Sequence, residues 1–174
     1  EGLMEYIKTC KRRFKPQTDY SYSCLNFITL QNIIEKISGQ TLREFARENL
    51  FDVLGMDHTD YLPTVRDKKG NWINTSDAHW ASMTEGDWHK LIAPTEKQAN
   101  DQVLLGQVHD PLARIMNGGI SGNAGVFSCA EDIAVLCAAL QNGGEWNGKR
   151  ILSPQTVKAM RTVPRGDVAQ FGRT

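Results

Sequence analysis

The sequence predicts a mostly α-helical chain with small β elements. Three observations carry that expectation. Apolar residues recur at helical spacing over residues 25–38. Capping patterns precede apolar runs at Thr41, Ser128 and Ser153, and glycines follow at Gly39 and Gly143-Gly144. Nowhere do strands and helices alternate in the rhythm of a parallel sheet. The length, 174 residues, is that of a single domain.

Residues 1–13 predict a short amphipathic helix, with Leu3, Met4, Ile7 and Cys10 on one side and Lys11-Arg12-Arg13 at the end. Residues 14–24 are a loop. In residues 25–38, Leu25, Ile28, Leu30, Ile33, Ile34 and Ile37 form a broad apolar face, which predicts a buried helix stopped by Gly39. Thr41 and Glu44 form a capping box that opens a helix to about Leu50, and a short turn then closes on Gly55. Asp67 to Asn71 reads as the turn of a small hairpin. Residues 81–127 are the least regular part, and a loop that long in a small domain is usually functional. Ser128 to Glu131 reads as a second capping box, opening a helix to about Leu140. Asn147-Gly148 predicts a tight hairpin between Glu145 and Leu152. Ser153-Pro154 opens a last helix to about Thr162.

Twenty basic and twenty acidic residues give zero formal net charge. That excludes a nucleic-acid binder working through a strongly basic surface. No apolar run reaches the ~20 residues of a transmembrane helix, and no secretory signal pattern is visible. The four cysteines, Cys10, Cys24, Cys129 and Cys137, form no CxxC pair and are expected to be buried small hydrophobes. His58, His79, His89 and His109 show no metal-ligand spacing, so no metal is expected. His109-Asp110 is expected to be a structural pair pinning the long loop.

The most suggestive stretch for chemistry is Tyr20-Ser21-Tyr22-Ser23-Cys24, directly before the apolar helix. A tyrosine at such a junction is either a core anchor or a proton-transfer group. The second role needs a neighbouring cation, since a free phenol titrates near ~10.

The stretch Tyr22 to Leu30, followed by Ile33-Ile34-Glu35-Lys36-Ile37-Ser38-Gly39, resembles the second active-site motif and following helix of the serine β-lactamase superfamily. More narrowly it resembles the branch of class C β-lactamases, DD-peptidases and family VIII esterases, with their Tyr-x-Asn motif. Leu54-Gly55-Met56-Asp57-His58-Thr59, Ile92 to Glu96, Gly106 to Asp110, Gly118 to Ser128 with Ala130-Glu131-Asp132, and Arg150 to Pro154 extend the likeness in order. The resemblance implies the helical portion of the α+β β-lactamase/transpeptidase-like fold, with residues 1–174 a single partial domain. It implies that Tyr22 is the catalytic base, and that Cys24, Asn123 and Ala124 line the substrate site. Cys24 stands where the motif usually has Asn, and Asn123 where close relatives have His. A thiol offers a substrate far less hydrogen bonding than an amide.

No Ser or Thr here has Lys three residues later, and no Lys-Thr-Gly or His-Thr-Gly is present. The resemblance therefore implies an internal piece of a hydrolase whose nucleophile lies elsewhere, acting on an ester, a D-amino-acid peptide or a β-lactam without a cofactor. Such a piece is expected to be inert alone and to expose an apolar face covered by the rest of its own domain or by a second copy. A periplasmic or secreted location is implied by resemblance only. A non-catalytic binding domain reusing the fold is the rival reading. A helical domain unrelated to hydrolases would instead bury Tyr22 in its core.

Overall fold

A computed structural model describes residues 2–15, 18–19, 21–61, 64–66, 72–74 and 92–162. The first helix, α1, spans Gly2–Thr9 and buries nothing. It stops short of the basic triplet at 11–13, where three adjacent cations offer no apolar group to pack and a short helix gains little from propensity alone. Helix α2, Cys24–Ser38, starts where Ser23 accepts a hydrogen bond from the Leu25 amide and ends at Gly39 in the left-handed conformation. Its position agrees with the apolar periodicity, but its burial does not. Only Ile28 is buried, while Phe27, Leu30, Ile33 and Ile37 are exposed. No described element covers them.

Thr41 caps α3, Leu42–Ala46, through the complete capping box. The Thr41 amide and hydroxyl hold the Glu44 carboxyl below its ordinary range. The helix predicted to continue to Leu50 instead widens into a π-helical turn, Arg47–Phe51, and re-forms as α4, Asp52–Leu54. A π turn takes an extra residue. Arg43 and Arg47 both reach Asp60, while Phe51 and Leu54 enter the core.

The β elements are two or three residues long and strictly antiparallel. Strand β1, Asp60–Tyr61, pairs with β6, Val126–Phe127, across 64 intervening residues. Strands β2, Thr64–Arg66, and β3, Trp72–Asn74, pair as the expected hairpin, whose turn lies outside the described residues. Strands β4, Glu96–Lys97, and β5, Val103–Leu104, form a hairpin within the stretch read as irregular. A second π turn, Leu112–Met116, follows. Strands β7, Glu145–Trp146, and β8, Lys149–Arg150, close across Asn147-Gly148, both at positive φ. His79, His89, Trp80, Trp88 and the tail from 163 also lie outside the described residues.

Helix α5 is Ala130–Gln141 and α6 is Pro154–Arg161. The cap of α6 is as expected: Ser153 accepts from the Thr156 amide, with Pro at the first helical position. The cap of α5 is not. Its N-cap is Cys129, which makes no capping bond. The Ser128 hydroxyl is engaged with Thr59 Oγ1 at 2.7 Å, so tertiary contact takes the group that local pattern assigned to the cap. The main core is Phe51, Leu54, Met56 and Ala139, with Leu50, Val135, Leu136, Trp146 and Ile151 packed on it. It joins α4, α5 and the β7–β8 hairpin. Gly144 permits that junction, because a Cβ there would meet the Leu152 carbonyl oxygen at 2.3 Å.

Candidate functional site

Tyr22 sits one residue before the cap of α2, with 67% of its surface exposed. Its hydroxyl lies 3.7 Å from Cys24 Sγ. The unrelated-helical-domain reading required a buried Tyr22 and is not met. The contrast with Tyr61 is direct. Tyr61 is buried in the β1–β6 pair and donates to the Ser121 carbonyl. Burial, with Asp60 and Glu35 nearby, pushes its phenol up to about 12. Tyr61 is the core anchor, and Tyr22 faces outward.

Asn123 and Ala124 lie in the glycine-rich loop, 117–125. A polar network hung from α2 fixes that loop. Gln31 accepts from the Gly122 amide at 2.9 Å and donates to the Ile120 carbonyl at 3.2 Å. Glu35 accepts from Gln31 at 3.1 Å and from the Leu42 amide at 3.0 Å, tying the same unit to α3. Ser121, almost fully buried, accepts from Asn117 at 2.8 Å and donates to Asn123 Oδ1 at 2.6 Å. The loop comes so close to α2 that a Cβ at Gly122 would meet the Phe27 carbonyl oxygen at 2.1 Å. Only a residue without a side chain allows that approach. Thus Tyr22 and Cys24 meet directly, and Asn123 and Ala124 are held to the same helix through Gln31 and Gly122.

Gln31, Glu35 and Ser121 were not legible as site-building residues. Their partners lie about ninety positions away in the case of Gln31, and no local pattern encodes such pairs. A faint signal was the presence of two hydrogen-bonding side chains, four apart, on an otherwise apolar helix. A second unit missed in the sequence is at Asp132. Its Oδ2 accepts from Thr59 Oγ1 at 2.7 Å and from the His58 amide at 2.9 Å, and His58, Cys129 and Asp132 converge there.

Two expectations fail. None of the four cysteines is buried; all are free and partly or fully exposed. His109 and Asp110 do not pair. His109 approaches Glu96 at 3.6 Å, while Asp110 accepts from the Ala113 amide and so caps the second π turn. Arg114 pins the loop, donating to the Val108 and His109 carbonyls at 2.6 and 2.7 Å.

This is a helical scaffold that presents a tyrosine at a helix mouth and fixes a glycine-rich loop to the same helix. The family described as Beta-lactamase matches residues 1–172, and the chain belongs to that family. A protein of Escherichia coli K12 named "Putative D-alanyl-D-alanine carboxypeptidase" is 32% identical over 169 residues, which are 97% of this chain and 37% of that protein. The chain thus spans well under half the length of the curated relatives it matches. Among solved structures, a β-lactamase homologue from Bacteroides dorei superposes with a TM-score of 0.57 at 17% identity, over 93% of this chain and 34% of the other. A penicillin-binding protein from Bacillus halodurans gives 0.51 at 17% identity, over 92% and 41%. At that identity these show the fold: the helical portion of the β-lactamase/transpeptidase-like architecture.

Proposed function

We propose that the protein containing this chain is a serine hydrolase that cleaves an amide or ester through an acyl-serine, with Tyr22 as its acid/base group. The single observation that carries this is Tyr22 itself, at the motif position and exposed rather than packed in the core. In this reading a serine outside these residues attacks the substrate carbonyl. Its hydroxyl proton passes to the Tyr22 phenolate, kept ionised by a lysine also outside these residues. The tetrahedral intermediate collapses, and the leaving group departs with that proton. Water then attacks the acyl-serine and gives up a proton to the same phenolate; the intermediate expels the serine oxygen, which takes that proton back, and the acid is released.

A D-amino-acid peptide is the favoured substrate, with carboxylic esters next. The relatives named as D-alanyl-D-alanine carboxypeptidases support the first. Cys24 weakens any contact to a substrate amide at that position, in a β-lactam or a peptide alike, because its thiol replaces the motif's amide, and so favours a variant specificity. A cell-wall peptide substrate implies a location outside the cytoplasm. The apolar stripe of α2, from Phe27 to Ile37, is the surface that the rest of the domain covers.

The test is the full-length protein against a D-alanyl-D-alanine peptide, a p-nitrophenyl ester and nitrocefin. Tyr22→Phe should lower kcat by roughly 10²–10⁴-fold, with KM little changed. The 174-residue chain alone should show no saturable turnover. Full activity in Tyr22→Phe, or serine labelling and turnover by the isolated chain, would overturn the reading.

A further inference from the structure

We propose that His58, Cys129 and Asp132 form a surface metal site for a borderline-soft divalent cation, Zn²⁺ foremost, that staples the turn after α4 to the start of α5. One imidazole nitrogen, one sulfur and one carboxylate oxygen lie within 4.8 Å of one another. Nitrogen, sulfur and oxygen donors together suit zinc better than magnesium or calcium, which take oxygen alone.

The buried member points to a ligand. Asp132 keeps only 8% of its side-chain surface. Its Oδ2 is satisfied twice, by the Thr59 hydroxyl and the His58 amide. Its Oδ1 accepts no hydrogen bond; its charged neighbour is His58 Nδ1 at 3.9 Å, within ion-pair range but beyond hydrogen-bond reach. A buried carboxylate oxygen left so is costly. Two ligands on a tetrahedral zinc sit roughly 3.3–3.6 Å apart, from its usual bond lengths, so small rotations bring the three donors onto one ion.

The other two members lie nearer the surface. Cys129 is the N-cap of α5, yet its thiol makes no capping bond, so the sulfur is available. His58 is 63% exposed, which leaves a route from solvent. Asp132 is held by the same Thr59–Ser128 contact that adjoins the β1–β6 pair. It is therefore the fixed corner to which the other two close. On binding, the cysteine releases its thiol proton to solvent and coordinates as thiolate. Three protein ligands leave the fourth position to water. The three residues lie 71 and 74 positions apart at their widest, which no spacing rule detects.

The experiment is titration of the full 174-residue chain, stripped with chelator, with Zn²⁺ by calorimetry and with Co²⁺ by absorption. One ion per chain is expected, with a thiolate-to-cobalt charge-transfer band and a Tm that rises with added Zn²⁺. His58→Gln and Cys129→Ser should each weaken binding by at least about tenfold. Neither residue packs in the core, so both variants should fold. Cys10→Ser and Cys137→Ser should leave binding unchanged. The site is overturned by absent binding, by binding that survives in His58→Gln or Cys129→Ser, or by binding lost with Cys10 or Cys137. None of these readouts depends on the hydrolase reading.

Discussion

The two long helices are built on opposite principles. Helix α5 turns Val135, Leu136 and Ala139 onto Phe51, Leu54 and Met56, and the β7–β8 hairpin closes over the same core. Helix α2 buries one residue, Ile28, and is fastened to its neighbours by side-chain amides and carboxylates instead. Its apolar side, Phe27, Leu30, Ile33 and Ile37, stays outside. One half of the molecule closes on itself. The other is fixed by directional bonds and leaves an apolar stripe exposed. Directional bonds set the position of the loop bearing Asn123 without using the apolar face of α2.

The largest expected effect falls on the closed side. Phe51→Ala should cost about 3–5 kcal/mol in urea unfolding, since it removes a buried ring and leaves a cavity. A cost under 1 kcal/mol would mean that the closed core is not what holds the chain. Next is Gly122→Ala, which forces a methyl against the Phe27 carbonyl. It should cost roughly 3 kcal/mol and remove exchange protection from the Gly122 amide that Gln31 accepts. Unchanged protection would show that the loop is not held by its approach to α2.

The third effect is a pH dependence. Tyr61 is raised from 10.0 to about 12 in the folded chain. Below pH 10 both folded and unfolded forms are protonated, and the stabilisation is complete. Between pH 10 and 12 the unfolded phenol loses its proton first, so stability falls by roughly 2–3 kcal/mol. Tyr61→Phe should flatten that alkaline slope, measured by urea midpoints at a series of pH values. At the acid end, the lowered Glu44 means the capping box contributes above the ordinary glutamate range and is lost as pH falls through the folded value.

The smallest effect is the sharpest comparison. Ile37, at 82% exposed, should change to Ala within about 0.5 kcal/mol in this chain. In the full-length protein the same change should cost more, because the stripe is then covered. A large cost in the isolated chain would mean that a second copy already covers α2, which sedimentation would reveal as a dimer.

Local grammar located most elements. Thr41 and Ser153 cap their helices, Gly39 ends α2, Gly55 closes its turn, and Asn147-Gly148 turns its hairpin, because each depends only on residues within a few positions. The failures share one cause. Ser128 left its cap for Thr59, the helix after Thr41 widened at Arg47, and the apolar face of α2 stayed exposed. In the first two cases partners distant in the chain decided the outcome; in the third, no described element packs on the face that the periodicity marks. The candidate site divides in the same way. Tyr22, Cys24, Asn123 and Ala124 are marked by motif order. Gln31, Glu35 and Ser121, which hold Asn123 and its loop to α2, are visible only in three dimensions.

The sequence by itself determined where most helices start and stop, two of their caps and the family's motif order, since these are written in short-range periodicity and turn chemistry. Tertiary structure decided which apolar faces are buried and which carboxylate meets which arginine or histidine. It also decided how closely the glycine-rich loop approaches α2. Those outcomes depend on groups brought together from distant points of the chain, where burial sets the cost of every unpaired charge and every missing methyl group.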